Sequence, residues 1–357
     1  MEKYSKLYLT KPEQLPRYRQ EVSQNYSLEV LDTIANCTQN LSSSTDAEAL
    51  SQISATLNQI SLYLPCPIYS QPIVSNSTEQ NEKDYYLNIV DDYMRVIRVQ
   101  GNSELILLWG ILQTYAELLK EALTAGTYLK NSQWKNLRHA FESMLRYLGR
   151  EAIESLPNSV LIPLTLSTPD PANNDPLNRW VIGHHIFYVL IQSLVVALNC
   201  FHTEITSENV QEAEVAITLA TFLMWGAESA LRFTGDFSAS QFQDIVRPSM
   251  MPPNAPPGLS GQFSRDHLYL VKLLSELRPT FENLNSNLMM KYRQFVQAFE
   301  ATYEAHKFVC KKFVGVESQS LRMNSTSSKS AVDVLQDLKI FRLKNLKTRV
   351  FLESFDV

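Results

Sequence analysis

Apolar residues recur every three or four positions along most of this chain, which is the spacing of one face of an α-helix. The clearest run covers residues 279–314, and its apolar positions continue through a histidine and a cysteine. They are Phe281, Leu284, Leu288, Tyr292, Phe295, Phe299, Tyr303, His306, Cys310 and Phe313. Residues four apart on a helix are stacked neighbours, about 6 Å apart along the axis. We therefore expect His306 and Cys310 to point into the same buried space.

The same spacing predicts further helices before and after this run. Thr45 and Glu48 form a capping box ahead of a leucine-spaced helix that Pro65 ends. Later helices are predicted over residues 86–123, as a pair interrupted near residue 101, and over 133–156, 178–201, 208–233 and 337–351. The result is an all-α fold.

We divide the chain into an N-terminal arm with helices, residues 1–80, and a helical main domain, residues 81–357, with one continuous domain as the alternative. The first 27 residues include Pro12 and Pro16 and are expected to form an irregular arm. This arm is our candidate contact in a homodimer.

Composition and charge narrow the classes of function. The chain has 357 residues, of which 45% are hydrophobic and only 10 are glycine, so it can bury a large helical core. The net charge of -5 is spread without blocks, which argues against a nucleic-acid partner. Residues 1–14 lack the apolar segment of a signal peptide, and we expect a cytoplasmic protein.

The stretch 178–201 is apolar enough to raise the question of a membrane span. It contains Arg179, Gln192 and two adjacent histidines, His184 and His185, so a central helix of a bundle is the better interpretation and no membrane partner is expected. Adjacent residues on a helix diverge by about 100°, so only one of the two histidines can face a given pocket.

The four cysteines, Cys37, Cys66, Cys200 and Cys310, form no C-x-x-C pair, which excludes the usual zinc and c-type heme motifs. A single histidine on an apolar face is more often a core residue than a ligand. A second histidine, His267, changes that interpretation because it follows a proline-rich stretch just before the long helical run. The two segments give His267, a long spacer, and then His306-x-x-x-Cys310.

This pattern resembles the H-x(n)-H-x-x-x-C heme signature of the saframycin-type 3-methyltyrosine hydroxylases, members of the histidine-ligated heme-dependent aromatic oxygenase superfamily. The resemblance implies that His267 and His306 are axial ligands of heme iron and that Cys310 forms one thioether bond to the porphyrin. Residues 303–315 are similar to the proximal-histidine helix of tryptophan 2,3-dioxygenases, which makes His306 the proximal ligand. The implied fold is the helical bundle of the tryptophan/indoleamine dioxygenase-like heme type.

The activity implied by this resemblance is hydroxylation of tyrosine or 3-methyltyrosine to a catechol in natural-product biosynthesis. The oxidant would be H2O2, or O2 with a reductant. We expect His267, on a loop with several prolines nearby, to be the ligand that leaves the iron. We expect His184 or His185 to act as a distal acid and base. Two other functions stay open, an indole amino-acid dioxygenase and a non-catalytic heme protein with two histidine ligands.

Two shorter resemblances give candidate substrate-binding residues. Residues 242–247 are similar to the stretch of indoleamine dioxygenases that supplies an arginine to the substrate carboxylate, and a guanidinium suits that task because its planar fork donates two hydrogen bonds. Arg247 is therefore a candidate, with a surface ion pair as the alternative. Residues 258–261 are similar to the small-residue loop over the heme, which adds Ser260 and Gly261. After Gly315 the glycine-rich loop of tryptophan dioxygenases is missing, which argues against tryptophan ring cleavage.

Overall fold

The computed structural model describes residues 3–39, 41–63, 68–69, 78–151, 153, 173–255, 259, 264–315 and 329–346. Most of these residues are helical, which confirms the predicted all-α class. The helices are α1 (Leu28–Thr38), α2 (Asp46–Ile60), α3 (Thr78–Tyr93), α4 (Ser103–Ala125), α5 (Asn131–Leu148), α6 (Pro176–Thr206), α7 (Val210–Thr234), α8 (Ala239–Gln241), α9 (Arg247–Ser249), α10 (Arg265–Glu276), α11 (Arg278–Glu282), α12 (Ser286–Val314) and α13 (Ala331–Leu346). A π-helical turn, Phe242–Val246, joins α8 to α9.

The predicted capping box at the start of α2 is confirmed. The Thr45 hydroxyl accepts a hydrogen bond from the backbone N–H of Glu48 at 3.3 Å. The Glu48 carboxylate in turn accepts one from the backbone N–H of Thr45 at 2.8 Å. Two backbone donors that the helix itself cannot satisfy are thereby paired.

A small sheet near the N-terminus was not predicted. It consists of β1 (Leu7–Leu9), β2 (Ile68–Tyr69) and β3 (Val96–Gln100), in the order β1-β3-β2. β1 runs parallel to β3, and β2 runs antiparallel to it. The prediction of two helices over residues 86–123 is therefore wrong for β3. Arg95 adopts a left-handed conformation with φ of 59°, and the β-branched residues that follow it favour a strand.

The long run of residues 279–314 is two helices instead of one. The Asn283 side-chain amide donates to the carbonyl of Pro279 at 2.8 Å, and the Asn285 side chain accepts from the backbone N–H of Leu288 at 3.0 Å. Asparagine side chains compete with the backbone in this way, so one helix ends and the next begins here. The predicted helix 133–156 also ends earlier, at Leu148.

The core lies around α6 and α7. The apolar segment of α6 is 89% buried inside the protein, as predicted for a central helix of a bundle. Gly183 of α6 packs so closely on α7 that a Cβ atom there would clash with Thr234. Gly226 of α7 meets Ala140 of α5 in the same way. One continuous hydrophobic cluster includes Leu7 and Leu346, which lie near the two ends of the described chain.

A buried ion cluster around Arg98 of β3 joins the sheet to the helices. Its guanidinium donates to both oxygens of Asp91 on α3, at 3.0 and 2.8 Å, and to both oxygens of Asp266 on α10, at 3.1 and 2.6 Å. It also donates to the carbonyl of Thr10, 3.0 Å away. Burial lowers the pKa of Arg98, but the two carboxylates outweigh burial and hold that pKa well above its usual value. Arg98 therefore stays charged.

Gln192 connects the central helix to this cluster. Its side-chain amide donates to the carbonyl of Thr10 at 2.9 Å and to Asp266 at 2.8 Å. Asp266 is completely buried and lies in the first turn of α10, immediately before His267. The position of that turn is thus set by charges on β3 and by an amide on α6.

Replacing Arg98 by methionine should lower the free energy of unfolding by about 3–5 kcal/mol, because Asp266 would stay buried without its counter-charge. Urea denaturation of the wild type and Arg98→Met measures this difference. The control is Lys272→Met, which removes a surface pair with Glu276 whose side chains are 70% and 60% exposed. That control should change stability by less than about 1 kcal/mol. If both variants lowered the free energy of unfolding by the same small amount, the buried pair would not stabilise the fold as proposed.

Candidate active site

A cavity lies between α6, α7, α10, α12 and α13. Much of its wall is apolar and includes Phe187, Ile191, Leu270, Leu274, Phe299 and Val309. The groups on it that can bind a metal or carry charge are His184, His267, His306, Cys310 and Arg342. The structure therefore brings together four of the site residues predicted from the sequence and adds an arginine.

Helix α12 supplies His306 and Cys310, and both line the cavity, as their spacing of four predicts. Burial, and to a lesser degree the charge of Arg342, lowers the pKa of His306 to about 4. Burial raises the pKa of the Cys310 thiol to about 11. At neutral pH the site thus holds a neutral imidazole and an un-ionised thiol.

His267 lies in the first turn of α10, where its backbone N–H donates to the N-cap hydroxyl of Ser264 at 3.3 Å. The prediction that His267 is on a loop is therefore wrong. Its backbone is held by the helix and by the neighbouring Asp266, which is bonded to Arg98. Any movement of this histidine must come from its side chain.

His184 and His185 face different parts of the protein. His184 lines the cavity, whereas His185 is fully buried on another side of α6, with Nε2 2.7 Å from the carbonyl oxygen of Met94. Of the two candidates only His184 lines this cavity, so the predicted role of distal acid and base stays a prediction for His184 and is not supported for His185. The reason is the 100° step between adjacent helical residues.

The protonation of His184 follows from its hydrogen bond. Nδ1 lies 2.7 Å from the carbonyl oxygen of Trp180, and a carbonyl can only accept, so Nδ1 carries the proton. Burial lowers the pKa of His184 to about 4, with smaller contributions from His185 and His306. The neutral imidazole consequently has its lone pair on Nε2.

Arg247 does not line the cavity. It lies on α9, where its guanidinium donates to the side chain of Gln243 at 3.1 Å. Phe242 and Val246 are buried, while Gln243 is exposed and shares a face with Arg247 four residues later. The position of Arg247 outside the cavity wall gives no support to binding of a substrate carboxylate, which stays a prediction.

The other two candidates, Ser260 and Gly261, lie outside the described residues. Leu259, directly before them, lines the cavity.

Arg342 is a site residue that the sequence analysis missed. Its guanidinium nitrogen Nη1 lies 3.0 Å from Nε2 of His267, and its charge also reaches Tyr303 and His306. A signal for it existed in the sequence. Ala331, Val334, Leu335, Leu338 and Arg342 follow at helical spacing and all line the cavity. The predicted helix 337–351 began too late to include most of that face.

Two other polar groups on the cavity wall are buried. Neither makes a hydrogen bond of good geometry with the part of the chain that the structure describes. They are the indole N–H of Trp180 and the hydroxyl of Tyr188. Ser264 is a neighbour of the Tyr188 hydroxyl. A buried polar group without a partner is costly, so both are available to polar groups of a ligand.

The sequence profile of a family described as SfmD 3-methyl-L-tyrosine peroxygenase matches residues 8–291. The chain belongs to this family. A 3-methyl-L-tyrosine peroxygenase from Streptomyces lavendulae is 33% identical over 251 residues, which is 70% of this chain and 68% of the relative. The resemblance found in the sequence is thereby confirmed at the level of the family.

The fold is similar to that of a family member of known structure. A crystal structure of reduced SfmD, soaked with sodium hydrosulfite, matches with a TM-score of 0.67 and 25% identity. The match covers 86% of this chain and 98% of the other. His267 lies inside the segment that matches the SfmD peroxygenase profile, whereas His306 and Cys310 lie beyond its end at residue 291. His306 and Cys310 are therefore linked to a heme site by their position on the same cavity as His267, and not by the profile match.

The protein should lose stability as the pH falls from about 6.5 towards 4, in part because of His184. Between these two pH values the imidazole binds a proton in the unfolded protein but not in the folded one. The free energy of unfolding therefore decreases as the pH decreases. His184→Gln should make this decline less steep. Urea denaturation at pH 7 and pH 5 measures the slope, and His202→Gln, at an exposed position of the same helix, is the control. An unchanged slope in His184→Gln would contradict the neutral assignment.

Proposed function

We propose that the protein is a heme-dependent peroxygenase that hydroxylates the ring of tyrosine or 3-methyltyrosine to a catechol in natural-product biosynthesis. The observation that carries the proposal is the convergence of His267, His306 and Cys310 on one largely apolar cavity. Membership of the SfmD 3-methyl-L-tyrosine peroxygenase family supports the reaction type and the use of H2O2.

The residues of the cavity fit a heme group. A flat, apolar macrocycle needs an apolar slot, and iron binds the neutral form of imidazole, which is the form of His306 at neutral pH. Within the described ranges no three His, Cys, Asp or Glu side chains converge as a site for a bare metal ion. Two histidines suffice when a porphyrin supplies the other four ligands. We assign His306 and His267 to the iron and Cys310 to covalent attachment of the porphyrin.

When bound, the heme supplies the oxidising chemistry that transfers oxygen from peroxide to the aromatic ring. The chain's own contribution is to orient the reactants, to exclude water and to move protons. His184 carries the lone pair on Nε2, so this atom can accept a proton inside the cavity. The indole N–H of Trp180 and the hydroxyl of Tyr188, whose neighbours include Tyr93 and Ser264, can hold polar groups of the amino-acid substrate.

The family membership favours this reaction over the two other functions considered from the sequence. An indole dioxygenase would open the ring and add two oxygen atoms, while a non-catalytic heme protein would give no product. His267 and His306 would also suit a non-catalytic heme protein, so membership of the peroxygenase family is what favours catalysis.

The reaction is tested by incubating the heme-loaded protein with H2O2 and either tyrosine or 3-methyltyrosine. We expect a product heavier by one oxygen atom with its ring intact, detected by mass spectrometry. His184→Ala should lower the turnover number by about a hundredfold or more, the usual contribution of an acid–base residue. His202→Ala, at an exposed position of the same helix, is the control. Undiminished turnover in His184→Ala would remove this histidine from the reaction.

Covalent attachment is tested separately. In the wild type, acidified organic solvent should leave the heme on the protein, and the intact mass should include the porphyrin. Cys310→Ala should release all the heme into the solvent. Cys200→Ala removes another buried thiol, one that does not line the cavity, and should keep the heme attached. Retention of heme by Cys310→Ala would refute the attachment.

The cytoplasmic location, the homodimer and the division of the chain near residue 80 stay predictions. The net charge of -5 supports the absence of a nucleic-acid partner. The deep burial of α6 supports the absence of a membrane-spanning segment at that helix.

A further inference from the structure

The side chains of His267 and Arg342 are in direct contact at the cavity wall. Nη1 of Arg342 lies 3.0 Å from Nε2 of His267. A guanidinium has only N–H donors, so Nε2 of the histidine must be the acceptor. The lone pair of Nε2 therefore points at the arginine in this arrangement, and the bond is charge-assisted.

While Nε2 of His267 accepts this hydrogen bond, the same nitrogen cannot coordinate a metal. A ring nitrogen whose lone pair accepts a hydrogen bond cannot donate that lone pair to a metal at the same time. His267 can therefore bind Arg342 or place Nε2 on an iron atom, but it cannot do both.

The backbones behind the two side chains are firmly held. Helix α13, which carries Arg342, is attached to α12 by a hydrogen bond from the Tyr292 hydroxyl to the carbonyl of Leu346, 2.5 Å long, and by an ion pair between Lys339 and Glu304 at 2.7 Å. On α10, the residue before His267 is bonded to Arg98 and Gln192. An exchange of partners by His267 thus needs only rotation of side chains.

We propose that Arg342 is the partner that His267 binds when it is not on the iron, and that this arginine thereby controls how often a coordination position is open to peroxide. The proposal rests on the heme-dependent function given above. Arg342 is a positioning residue here, because it acts through His267. The iron and the guanidinium compete for one lone pair, so removal of the guanidinium should shift His267 towards the iron.

The test is the spin state of the ferric, heme-loaded protein without substrate, measured by absorption and electron paramagnetic resonance spectroscopy. In Arg342→Leu the ratio of six-coordinate low-spin to high-spin iron should rise about tenfold to a hundredfold, the equivalent of one hydrogen bond to a charged group. Arg342→Lys keeps a cationic donor and should restore part of the wild-type ratio. Lys344→Leu removes the same charge from an exposed position of the same helix and should leave the ratio unchanged.

A double variant shows whether Arg342 acts through His267. In the His267→Ala background, Arg342→Leu should have no further effect on the spin state. An equal shift in both backgrounds would overturn the proposal and would indicate that Arg342 contacts the porphyrin's own carboxylates. An unchanged spectrum of a folded Arg342→Leu would overturn it as well.

The contact itself is tested on heme-free protein labelled with ¹⁵N at histidine. Nitrogen chemical shifts should identify Nε2 of His267 as the nitrogen without a proton, and a proton on Nε2 would overturn the proposal. Failure of the proposed function would be seen separately, as a wild type that takes up no heme or forms no catechol. A wild type that forms catechol while Arg342→Leu keeps the wild-type spectrum would refute the exchange alone.

Discussion

The buried pair between Arg98 and Asp266 is the interaction on which the site depends. Two charges removed from water are costly, and they are tolerated only when their hydrogen bonds are nearly complete. Here the guanidinium reaches both oxygens of Asp266, both oxygens of Asp91 and the carbonyl of Thr10. These bonds hold the first turn of α10 in place. Since His267 follows Asp266, the same charges fix one wall of the cavity.

The two histidines assigned to iron are held in different ways. His306 lies well inside the 29-residue helix α12, in a line with Thr302, Cys310 and Phe313 that faces the cavity. His267 lies at the start of a shorter helix, and its ring has a cationic partner on α13. The asymmetry that the sequence analysis attributed to a proline-rich loop thus arises from side-chain chemistry on a helix.

Local patterns predicted much of the site, and distant packing determined the rest. The spacing of His306 and Cys310, the division between His184 and His185 and the capping box at Thr45 depend only on helical geometry, which a sequence encodes within a few residues. The strand β3 is different, because it is stabilised by pairing with residues 7–9, far away in sequence. The positions of Arg342 and Arg247 relative to the cavity likewise depend on how separate helices pack. The spacing of residues 331–342 marks Arg342 as part of one helix face, but it does not say which other helices that face packs against.

The turn that carries His267 is contacted by segments near both ends of the described residues. The carbonyl of Thr10 completes the ion cluster on one side, and Arg342 bonds the imidazole on the other. A ribosome makes these two groups more than three hundred residues apart, the second of them in the last helix described. During synthesis the nascent protein therefore lacks a finished pocket until α13 has left the exit tunnel. The environment of the heme is then complete only after the last helix that the structure describes has been made.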